Sequence, residues 1–182
     1  MCDTENIKYL LQNIWTNKIS SAYSSGNISS EATLVAELYR CIKAYSPLNV
    51  WLEHRINYTK EKKSGPFDLI ITDNLKIKCI IEVKFFPGSQ KLYKPDLEKL
   101  LSITEMTTDT YLRTNPISGE WDINYPYKVI ENPLCVFAVI GYSDLKALDT
   151  KNIPEIILHL TGSVGNGKCE FCQGLPVSAD TR

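Results

Sequence analysis

The sequence predicts an α/β fold, a central mixed sheet of four to five strands flanked by helices. Three observations predict it. Two apolar runs, "PFDLIITD" and "KIKCIIEVKFF", are joined by a short polar connection, as in a hairpin. Amphipathic helical stripes lie on both sides of them in the chain, and a further apolar run, "PLCVFAVIGY", reads as a buried central strand. With 182 residues the chain suits one domain with a full core.

In chain order, Ile7, Leu10, Leu11, Ile14, Trp15 and Ile19 recur at helical spacing behind Asp3 or Thr4, which predicts one amphipathic helix. After the break "SSGN", Ser29 or Ser30 caps a second helix with the stripe Leu34, Val35, Leu38, Cys41, Ile42 and Tyr45, and Pro47 stops it. "NVWLEHRINY" alternates as a first strand and is followed by the polar loop "TKEKKSG", then by the two hairpin strands. "KPDLEKLLSITEM" carries Leu97, Leu100 and Leu101 on one side of a further helix. The aromatic stretch 107–133 lacks periodicity and reads as an excursion at a sheet edge. A short helix from Ser143 and a last strand, "PEIILHL", close the pattern. The expected organisation is one domain over 1–161, with a helical segment 1–25 and a core from about residue 29, followed by a flexible tail at 162–182.

Hydrophobic residues make up 43% and charged residues 23%, which excludes a disordered chain. No run is long enough to span a bilayer, and the acidic start "MCDTEN" lacks the order of a signal peptide, so a cytoplasmic protein without a membrane partner is expected. A net charge of −1 means that any nucleic acid must be held by local basic groups such as Lys60, Lys62 and Lys63. Most of the six cysteines read as small buried hydrophobes, and "CEFC" at 169–172 supplies only half of a zinc site.

Asp68, Glu82 and Lys84 interrupt segments otherwise built for burial. Glu82 and Lys84, two apart on a strand, share one face, and the hairpin brings Asp68 across from Glu82. Two carboxylates about 4 Å apart repel by about 4 kcal/mol at an effective dielectric near 20. A divalent cation removes that conflict, and oxygen donors of this kind suit Mg²⁺ or Mn²⁺.

"PFD" followed across a short hairpin by "EVK", with a helix before and a helix after, resembles the PD-(D/E)XK nuclease superfamily. The resemblance covers about Ser29 to Tyr142. It implies a restriction-endonuclease-like fold and a metal-dependent DNA endonuclease that hydrolyses phosphodiesters with a metal-activated water. Asp68 and Glu82 would hold Mg²⁺ (or Mn²⁺), Lys84 would be the catalytic lysine, and an acid of the preceding helix would complete the metal set. Glu37, in mid-helix beside Leu38, is preferred for that role over Glu31, which the helix dipole already explains. DNA is the expected partner, with specificity from the edge excursion, a homodimer or a partner protein. The alternative is a catalytically inactive nuclease-fold module that binds nucleic acid or protein.

Overall fold

The structure is a computed structural model that describes residues 3–57, 64–73, 76–86, 94–104, 128–142, 157–165 and 168–174. Helix α1 (Thr4–Asn13) runs through a π-helical stretch, Ile14–Ile19, into α2 (Ser20–Ser24), and α3 (Glu31–Tyr45) follows. Strands β1 (Asn49–Asn57), β2 (Ser64–Asp73) and β3 (Lys76–Phe85) precede α4 (Lys94–Thr104), and β4 (Lys128–Tyr142), β5 (Ile157–Gly165) and β6 (Lys168–Gly174) complete one sheet. Its order is β1-β2-β3-β4-β5-β6, antiparallel at β1–β2, β2–β3 and β5–β6 and parallel at β3–β4 and β4–β5. The expected mixed sheet flanked by helices is present, with six strands rather than four to five.

Two cores sandwich the sheet. Ile7, Leu11 and Trp15 with Leu34, Leu38 and Ile42 of α3 cover the face formed by Ile71, Ile81, Val83, Val136 and Ala138. Leu97, Leu100 and Ile103 of α4 cover the other, against Ile70, Ile80, Phe137, Val139 and Ile157. Alternation explains this division: Ile80 and Ile81 are neighbours in sequence and belong to opposite cores.

The first helix differs from the expected uniform one. A π turn winds fewer degrees per residue than an α turn, which brings Ile19 back onto the buried stripe begun by Ile7 and Leu11. Thr16 Oγ1 donates to the Gln12 carbonyl at 2.9 Å, and such back-bonding disturbs regular α geometry there. Ser30 caps α3: its Oγ accepts from Thr33 N at 3.2 Å while Thr33 Oγ1 accepts from Ser30 N at 2.9 Å.

The chain end also departs from the sequence reading. Residues 157–165 and 168–174 form an antiparallel hairpin at the sheet edge, where a loose tail from 162 was expected. Gly162 lets it close, because a Cβ there would meet the Phe171 ring at 2.7 Å. Strand β4 starts at Lys128, inside the expected excursion, and its register with β3 shifts between Ile77 and Cys79. The loop 58–63, the rest of the excursion and the helix expected from Ser143 lie outside the described residues, as do the side chains of Cys169 and Cys172. Among the described residues no helix is long and apolar enough to cross a membrane.

Candidate active site

The β2–β3 register pairs Leu69 with Ile81, so one step further along Asp68 stands opposite Glu82. The two carboxyls come within hydrogen-bonding reach of each other. Asp68 Oδ2 also accepts the Val83 backbone N–H at 2.6 Å, which fixes its orientation from across the ladder. Glu82 is only 2% exposed. Its Oε1 is in ion-pair contact with Lys99 of α4, and Lys99 Nζ donates to the Pro66 carbonyl at 2.6 Å and lies 4.4 Å from the centre of the Phe67 ring.

Lys84 lies between the two helical layers. Its Nζ is 3.3 Å from Glu31 Oε1, in the first turn of α3, and 3.3 Å from Asp96 Oδ2, in the first turn of α4. The Ser30 cap fixes the turn that carries Glu31. Sheet and both helices therefore meet at one end in a cluster of four carboxyls and two ammonium groups.

Burial pushes the Glu82 carboxyl up, the adjacent Asp68 pushes it further, and Lys99 offsets them only in part, so its pKa reaches about 8. The close ion pair with Lys99 does not prevent this, because taking the charge out of water costs more than one ammonium returns. Asp68 is likewise raised, by burial first, against the opposing Val83 N–H and Lys84. For Lys84, burial alone would lower the pKa, but Asp96, Glu31 and Asp68 together outweigh it and the net shift is upward.

Glu37 is not brought to this cluster. It forms a two-pronged pair with Arg40, Nε to Oε2 at 2.8 Å and Nη2 to Oε1 at 2.6 Å, and accepts from Cys41 Sγ at 3.7 Å. The Arg40 hydrogen bonds hold its carboxyl below the usual range. Six residues separate it from Glu31, about 9 Å along the helix axis and well over a quarter-turn away in phase. Glu31 is the helix acid beside Lys84. Asp96 and Lys99 of α4 also join the cluster, and their spacing of three, which puts them on one side of the helix, was the available signal.

Beside the cluster runs an open groove of about 560 Å³ lined by Glu31, Ala32, Val35, Ala36, Leu52, Glu53 and Asp68. Glu53 sits in the left-handed region at φ 48°, an uncommon conformation for a non-glycine residue.

The donor set can be tested against a cation. Among the described residues no three Asp, Glu, His or Cys converge as a ready-made cage. The Asp68–Glu82 pair offers two hard carboxylates, the number Mg²⁺ takes when water and phosphate fill its other positions. Once Glu82 gives up its proton, the four carboxyls of Glu31, Asp68, Glu82 and Asp96 outnumber the two ammonium groups of Lys84 and Lys99, a difference that a divalent cation would balance. The residues fit such an ion. No family model matches the chain, and no curated protein does.

Proposed function

We propose that this cluster is the active site of a metal-dependent DNA endonuclease with a restriction-endonuclease-like arrangement. The observation that carries the reading is buried Glu82 facing half-buried Asp68 across the hairpin, with Lys84 two residues on between Glu31 and Asp96. The D…ExK order on a β-hairpin between helices agrees with it. Asp68 and Glu82 would hold Mg²⁺ or Mn²⁺, with Glu31 rather than Glu37 as the nearby helix acid. When bound, the cation supplies a Lewis acid and lowers the pKa of water.

The protein's own groups then have separate tasks. Asp68, oriented by Val83 N–H, and Glu82, restrained by Lys99, are held before substrate arrives, so little reorganisation opposes reaction. Lys84 is kept as an ammonium by its acidic neighbours, a charge suited to stabilising the developing phosphorane. Glu31 and Asp96 position that ammonium.

The test is cleavage of supercoiled, linear, single-stranded and branched DNA in Mg²⁺ or Mn²⁺. Metal-dependent cutting is expected, lost in Lys84→Ala and Asp68→Asn and retained in Glu37→Gln. A fully active Lys84→Ala protein would overturn the assignment. Absence of both cutting and Mn²⁺ binding would leave the fold as a binding module.

A further inference from the structure

We infer that Glu53 is a positioning residue, whose left-handed backbone is the hinge that delivers Asp68 to the site. Its part in the chemistry rests on the reading of Asp68 as a metal ligand. Side chains two apart on a strand share one face of a sheet. Strand β2 breaks this rule at Asp68: Phe67 belongs to the core under α4, Leu69 to the core under α1 and α3. Strand β1 breaks it as well, since Leu52 lines the groove with Ala32 and Val35 of α3 while Ile56 lies in the α4 core. The register puts both breaks on one rung. Leu52 pairs with Leu69 and His54 with Phe67, which leaves Glu53 opposite Asp68. At that rung Glu53 has φ 48°, where a residue with a Cβ is uncommon.

The paired break is where β2 leaves β3. Strand β2 pairs with β3 from Leu69 to Asp73, and from Phe67 back to Ser64 it runs on against β1. Past Leu69 the Val83 N–H is met by the Asp68 side chain, with Oδ2 accepting at 2.6 Å. A carboxylate so placed stands at the seam between the two faces of the sheet. It reaches Glu82, whose ion-pair partner Lys99 lies on α4, and it also lines the groove on the α3 side with Glu31 and Glu53. Regular alternation through this rung would confine it to one face. Because β1 and β2 change faces together with their register unbroken, an extended backbone at Glu53 would have to straighten both strands or part them. Either outcome moves Asp68 off the Val83 N–H.

The experiment compares Glu53→Asn and Glu53→Gly, which accept the left-handed region, with Glu53→Val, whose branched Cβ resists it. All of these remove the carboxylate, so a difference among them reports the backbone. Each whole protein is read by amide hydrogen exchange at Val83 without metal, and by Mn²⁺ affinity in calorimetry. Glu53→Asn and Glu53→Gly should behave as wild type. In Glu53→Val, exchange at Val83 should be at least about tenfold faster while the other β3 amides stay protected, and Mn²⁺ affinity at least about tenfold weaker. Wild-type exchange at Val83 in folded Glu53→Val would overturn the inference. So would an equal loss in Glu53→Asn, because the carboxylate and not the backbone would then be responsible. If thermal melting shows Glu53→Val unfolded, Glu53→Ala, which lacks the tolerance of Asn, gives the same comparison. A wild type that binds no Mn²⁺ would overturn the metal reading, and metal-free exchange at Val83 would still decide the hinge.

Discussion

Glu82 is held in the fold at the expense of its charge. Its pKa rises from the ordinary carboxyl range to about 8, so the folded protein binds a proton there that the unfolded chain releases above about 4.5. A raised acid contributes stability that is present at low pH and lost as pH climbs toward the folded value. Between pH 6.5 and 8 wild type should lose up to about 2 kcal/mol on this account, and Glu82→Gln should show no such slope in urea melts. A bound divalent cation must displace the same proton. Calorimetry in buffers of different ionisation enthalpy should therefore show proton release on Mg²⁺ binding, strongest near neutral pH and fading above pH 8.

The elements place these residues through a few local devices. Removing the cap in Ser30→Ala should cost about 1 kcal/mol of stability, read by chemical denaturation. It should also loosen the first turn of α3 and with it the Glu31–Lys84 contact. At the far edge, Gly162→Ala would drive a methyl into the Phe171 ring, which packs 5.7 Å from Trp15 and 6.0 Å from Tyr23. Overpacking of this kind should lower stability by about 1–3 kcal/mol, seen in thermal melts. Strands β2 and β3 were legible as short apolar runs joined by a polar connection, and α4 by leucines at helical spacing. The β6 strand was not, since seven residues framed by glycines and cysteines carry neither signal. The same limit decided the helix acid. Sequence shows that Glu31 and Glu37 share a helix, but which of them meets Lys84 depends on how α3 is rotated against the sheet, and only packing sets that.

At the scale of the molecule, two buried titrating groups oppose each other. His159 on β5 is 4% exposed, has no hydrogen-bond partner on either ring nitrogen among the described residues, and burial pulls its pKa down to about 4. The unfolded chain therefore takes up a proton near pH 6.5 that the folded one refuses until about 4, so this contribution is complete above 6.5 and falls as the medium is acidified. Glu82 slopes the other way across the same interval, so the two offset each other between about pH 4.5 and 6.5. His159→Leu should expose the Glu82 slope over the whole range to pH 8. Glu82→Gln should leave stability rising by about 3 kcal/mol from pH 4 to 6.5 and then level, in equilibrium unfolding at stepped pH.

The indole Nε1 of Trp15 donates to the Thr161 carbonyl at 3.1 Å, across 146 positions of sequence. Closing so long a loop is entropically slow, and it rewards the chain only once β5 lies in the sheet beside β4. The hairpin bearing Asp68, Glu82 and Lys84 needs no such wait, since its partners are close neighbours in sequence. During refolding the chemistry-bearing strands can thus assemble early while the first helix is still seeking its seat, and burial of Trp15 keeps time for the final step.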